Sequence, residues 1–132
     1  MAARIALGVA LVLGVALVMS IFGIGCSKEP DPDEAVLIQL RKAGSDLTKP
    51  HEIEFYLYLP NEAAAQQAAA RIREKGFQAE VRRAAKGNNW LCLGKKTLVP
   101  NLSTLQAITR DLEALAKSSH GEYDGWEAKV ER

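Results

Sequence analysis

Between His51 and Leu59 apolar and polar side chains alternate. Ile53, Phe55, Leu57 and Leu59 fall on one face, and Glu52, Glu54, Tyr56 and Tyr58 on the other. A two-residue period is that of a β-strand with one buried side. Pro60 stops the strand, Asn61 is a suitable helix N-cap, and Glu62 sits well beside a positive helix end. An alanine-rich helix is predicted over Asn61–Lys75, with Ala64, Ala68 and Ile72 as a narrow apolar stripe and Gly76 as its stop. Alternation returns over Phe77–Arg83, where Phe77, Ala79 and Val81 share a face. After a turn at Ala85–Asn88, a strand is predicted over Asn89–Leu98. Its run Trp90-Leu91-Cys92-Leu93 does not alternate, as expected of a central strand covered on both faces. Pro100-Asn101 repeats the Pro60-Asn61 device ahead of a second helix over Leu102–Lys117. Leu105, Ile108, Leu112 and Leu115 form its stripe, and the capping-box spacing of Ser103 and Gln106 allows a start at Ser103. Gly121 follows, and Tyr123–Val130 supplies a last strand.

The order is β-α-β-β-α-β, with the strand–Pro-Asn–helix unit used twice. Such duplication predicts an α+β, ferredoxin-like sandwich: one antiparallel sheet, two helices on one face, and the first and third strands central. A domain of this size buries roughly 65% of its extended-chain surface, enough for stability without disulfides or metal.

Composition changes the picture at the N-terminus. The chain of 132 residues is 48% hydrophobic, but 20 of its first 26 residues are apolar, and Ile5–Gly25 carries no charge. About 20 such residues cross a bilayer as a helix, so residues 1–26 read as a membrane anchor. Gly25-Cys26 also resembles a bacterial lipoprotein processing site, with Cys26 as the acylated residue, although Gly23 stands where a larger aliphatic residue is usual. Both readings tether the domain to a membrane; the few basic residues on either side do not fix the side on which it lies. Ser27–Glu34 (SKEPDPDE) reads as an acidic, proline-containing linker, and the following stretch to Gly44 as a short helix or spacer.

The remainder holds 16 Lys+Arg and 16 Asp+Glu, so the net charge of +1 belongs to Arg4. That balance excludes a disordered chain and a polycationic nucleic-acid binder, and the cysteine count excludes a disulfide-stapled miniprotein. No catalytic set emerges. His51, His120 and Cys92 have no metal-ligand spacing, Cys92 lies mid-strand between leucines, and no phosphate loop or nucleophile elbow is present. A small hydrolase or metal site around His51 and Glu54 is the weakest reading. The sequence therefore implies a non-enzyme that needs no cofactor. Tyr56 and Tyr58 lie on the open sheet face, and Trp90 joins them if Leu91 and Leu93 face the helices. Aromatics there are laid out as in RNA-recognition motifs, but Glu52, Glu54 and Glu80 repel phosphate, and the neutral charge disfavours nucleic acid. A protein partner with a basic peptide segment suits an aromatic, acidic face better.

The stretches DLTKPHEIEFYLYLPNEAAAQQAAARIREKGF, NWLCLGKKTLVP and GEYDGWEAKV, in this order and spacing, resemble the ribonuclease E inhibitor protein B family (RraB, regulator of ribonuclease activity B). The resemblance covers about residues 45–130 within a domain at 45–132. It implies a ferredoxin-like fold and a non-enzymatic role: binding and modulating an RNA-degrading enzyme. The matching positions His51, Glu54, Tyr56, Tyr123, Asp124 and Trp126, with Tyr58 and Trp90 from the open face, form the expected binding surface. Ribonuclease E is the implied partner if the domain is cytoplasmic; outside the cytoplasm a lipoprotein with another binding role is expected.

Overall fold

The computed structural model describes residues 4–6, 31–85 and 87–132. A short strand β1 (Arg4–Ala6) is followed by helix α1 (Pro32–Lys42), strand β2 (His51–Leu59), helix α2 (Glu62–Glu74), strands β3 (Gln78–Arg83) and β4 (Trp90–Leu98), helix α3 (Leu102–Ser118) and strand β5 (Glu122–Lys129). The sheet order is β1-β5-β2-β4-β3, with every pairing antiparallel. Without β1 this is the strand order of a ferredoxin-like sandwich. As the duplicated strand–helix unit predicts, β2 and β4 are central.

The sheet face toward α2 and α3 carries the main core. Ile53, Phe55, Leu57 and Leu59 are fully buried, each worth about 1.5–3 kcal/mol relative to exposure. They pack with Ala65, Ala68, Ala69 and Ile72 of α2 and Leu105, Leu112 and Ala116 of α3. The small stripe of α2 is one position wider than the sequence spacing predicts, since Ala65 and Ala69 are buried as well. Asn61 and Asn101 are the caps: their side-chain oxygens accept from Ala64 N–H, and from Ser103 and Thr104 N–H. The Ser103–Gln106 capping box does not form, because Asn101 holds the Ser103 hydroxyl and Gln106 turns toward Asp31. Gly121 admits no side chain, as a Cβ there would meet the Tyr58 carbonyl oxygen and Leu59.

Two boundaries differ from the sequence reading. The helix before β2 begins at Pro32, inside the segment read as linker. Asp31 caps it by accepting from Asp33 N–H at 2.8 Å, and Pro32 takes a first-turn position where no N–H is needed. At the other end, Ile5 and Ala6 of the apolar run lie in β1, opposite Ala128 and Glu127 of β5. The rest of the predicted anchor, Cys26 and the start of the linker lie outside the described residues. No helix among the described residues is long and apolar enough to cross a membrane.

Candidate functional site

Cross-strand pairs share a face, so the register sorts the expected surface residues. Glu54, Tyr56 and Tyr58 lie on the face away from α2 and α3, with Leu93 opposite Tyr56, Leu91 opposite Tyr58, and Glu127 opposite Glu54. Tyr56 Oη donates to Glu127 Oε1 at 2.5 Å. Burial and the nearby Asp124 carboxylate push the Tyr58 phenol up. Trp90 is not among them. It pairs with Leu59, on the helix-side face, and the Arg83 guanidinium lies 5.8 Å from its ring centroid. Leu91 and Leu93 therefore face away from α2 and α3, the reverse of the arrangement that would have placed Trp90 beside the tyrosines. The aromatic layout for stacking bases is incomplete without it.

His51 is 1% exposed. Its Nδ1 bonds the Lys49 carbonyl at 2.7 Å, and a carbonyl only accepts, so Nδ1 carries the hydrogen. In the neutral ring Nε2 then accepts from Ser45 Oγ at 2.6 Å, and Ser45 Oγ accepts the Glu131 N–H at 3.0 Å. This Ser–His contact has the spacing of a nucleophile and base, but both side chains are buried and knit the C-terminal strand end to the loop before β2. Cys92 is fully buried, and burial pushes its thiol up to about 11, which leaves it little thiolate to act as a nucleophile. Among the described residues no group of three His, Cys, Asp or Glu side chains is placed to hold a metal ion.

The remaining residues converge elsewhere. A β-bulge in the β2–β5 pairing leaves Asp124 unpaired between Tyr123, opposite Leu57, and Gly125, opposite Tyr56. Gly125 has φ +101°, which glycine adopts without strain. The bulge re-aims Asp124 and Tyr123 into a cavity of about 420 Å³. Asp31, Pro32 and Asp33 at the start of α1 form one wall, and Gln106, Thr109, Arg110 and Glu113 form another. The latter share a face of α3 through their i, i+3, i+4, i+7 spacing. Gln106 Nε2 donates to Asp31 Oδ2 at 2.7 Å, joining the walls.

Beneath this cavity Asp33 is 5% exposed and Trp126 is buried. Trp126 Nε1–H and Thr109 Oγ1–H both donate to Asp33 Oδ1, each at 2.9 Å. Burial raises the Asp33 carboxyl; these two bonds oppose the rise, and the Asp31 and Glu113 charges add to it. Asp124 is likewise raised, by burial and by Glu122. The Tyr123 phenol is pushed far up, chiefly by burial, and its hydroxyl has no hydrogen-bond partner among the described residues. The Thr109 hydroxyl beside it, which donates to Asp33 and keeps lone pairs to accept, works against the rise.

Of the expected residues the fold thus gathers Glu54, Tyr56 and Tyr58 on the face away from α2 and α3, but that face is not the open one expected: Glu54, Leu91, Leu93 and Glu127 are buried and both tyrosines half-buried. Tyr123 and Asp124 meet at the cavity with Trp126 below them. His51 and Trp90 belong to other packing. Asp33, Thr109 and Gln106 were missed; an Asp-Pro pair at a cap and first helical position was the available signal for the first. No curated protein matches the chain significantly. The family model described as regulator of ribonuclease activity B matches residues 31–128, from the Asp31 cap to Ala128 in β5. That match takes in α1 and every element of the sandwich, and the chain belongs to the RraB family of regulators of ribonuclease activity.

Proposed function

We propose that this chain is a membrane-tethered, non-catalytic regulator that binds an RNA-degrading enzyme, ribonuclease E, and lowers its activity. The observation that carries this reading is the match of a ribonuclease-regulator family over residues 31–128. The buried state of Ser45, His51 and Cys92 supports it, since the side chains with catalytic potential sit in packing roles. The reading places the domain on the cytoplasmic side. Co-purification tests it: full-length chain in detergent should retain ribonuclease E, and recovery no higher than that of an unrelated membrane protein would overturn the reading.

The tether is supported by the uncharged run. Leu7–Gly25 alone gives about 28 Å of helix, close to the bilayer core of about 30 Å. A spanning helix and the pairing of β1 with β5 exclude each other. With Ala6 held at the sheet, the helix would carry Gly25 across the bilayer. The return to Asp31 reaches at most about 22 Å of extended chain. The helix-tethered protein therefore has a vacant outer edge on β5. Hydrogen exchange of β5 amides checks this: faster exchange in membranes than in the untethered chain is expected, and equal protection would contradict the tether.

A further inference from the structure

We propose that the cavity between α1, α3 and the β5 bulge is a binding site for the guanidinium of an arginine side chain of the partner protein. The inference rests on the reading of the chain as a ribonuclease regulator and assigns that role a site and a ligand chemistry. Three observations carry it. Asp33 is a buried carboxylate with both of its donors on Oδ1 and none on Oδ2 among the described residues. The Tyr123 hydroxyl is buried without a hydrogen-bond partner among the described residues, and buried polar groups left so are rare enough to call for an explanation. The cavity wall brings Asp31, Asp33, Glu113 and Asp124 together against one cation, Arg110.

These features select the ligand. Unused acceptors beside surplus negative charge call for a donor-rich cation. A guanidinium has five N–H donors in a planar fork, no acceptor, and weaker hydration than an ammonium, so it enters a half-buried site at lower cost than lysine. The positive end of α1 does not oppose it. Asp31 already holds the Asp33 N–H, and Pro32 has none to offer. An enzyme that handles RNA presents arginines to phosphate. A regulator holding one of them in an acidic cavity competes with RNA for it.

The test uses full-length chain in detergent and follows the Trp126 indole N–H resonance, which reports on Asp33 directly. The probes are capped Gly-Gly-Arg-Gly-Gly, its lysine and citrulline counterparts, and spermidine. The arginine peptide should shift the resonance at millimolar concentration, with lysine and spermidine at least tenfold weaker and citrulline inactive. Asp124→Asn and Tyr123→Phe should each weaken arginine-peptide binding at least fivefold, while Tyr123→Phe melts no lower than the parent chain. A residue kept only for stability would show the opposite pattern. No shift with arginine, an equal shift with citrulline or spermidine, or undiminished binding by Tyr123→Phe would overturn the site. If arginine binds but ribonuclease E is neither retained nor slowed, the cavity stands and the ribonuclease reading falls. If ribonuclease E is regulated equally by Tyr123→Phe, the reading stands and the cavity proposal falls.

Discussion

Two buried polar clusters each tie a segment ahead of or opening β2 to the C-terminal end of the chain, and they are built differently. In the Ser45–His51 cluster each ring nitrogen has a partner, the serine oxygen serves both the imidazole and a backbone N–H, and the C-terminal segment is pinned. In the Asp33–Trp126 cluster the donors crowd onto one carboxylate oxygen, and the neighbouring phenol has no hydrogen-bond partner among the described residues. A fully satisfied network contributes to stability and has no capacity left for a ligand. A partly satisfied one costs stability, and a cost retained at the wall of a cavity points to function.

Substitutions should separate the two clusters. The largest loss is expected for His51→Ala, which empties a fully buried site and orphans Ser45: about 3 kcal/mol in a denaturant titration. Asp33→Ala should cost about 2 kcal/mol by the same measurement, because the indole N–H and the Thr109 hydroxyl lose their acceptor. Tyr123→Phe should change stability by less than about 0.5 kcal/mol or raise it, since the hydroxyl it removes has no hydrogen-bond partner among the described residues. A loss comparable to that of Asp33→Ala would mean that the phenol is bonded, and the contrast between the clusters would fail.

The smallest effect is a pH dependence. Asp33 and Asp124 have raised carboxyl pKa values, so between the ordinary and the raised value the folded state binds more protons than the unfolded one. Stability contributed by these groups therefore increases as pH falls through the raised value, and is lost as pH rises above it. Comparing melting of the parent chain with Asp33→Asn across mildly acidic pH isolates the Asp33 share, which the variant should lack.

Much of the sandwich was legible because its signals are local. The alternation of β2 and the Asn61 and Asn101 caps each depend on residues within a few positions. The face of Trp90 was not legible. Four apolar residues in a row carry no alternation, and the register with Leu59 decides it. The cavity was legible only in its β5 half. Tyr123, Asp124 and Trp126 stand together in a recognisable stretch, while their partner Asp33 lies 93 positions from Trp126, in an acidic, proline-containing segment that reads as linker. Charge and proline content describe a solvated linker and a capped helix start equally well until the opposite wall is known.

The central claim is regulation of an RNA-degrading enzyme by this domain. Its most direct test is the initial rate at which ribonuclease E cleaves a single-stranded RNA, with increasing full-length chain in detergent. The rate should fall as the chain approaches and passes equimolar, and recover when excess RNA is supplied. A rate unchanged at a tenfold molar excess of the chain would contradict the account.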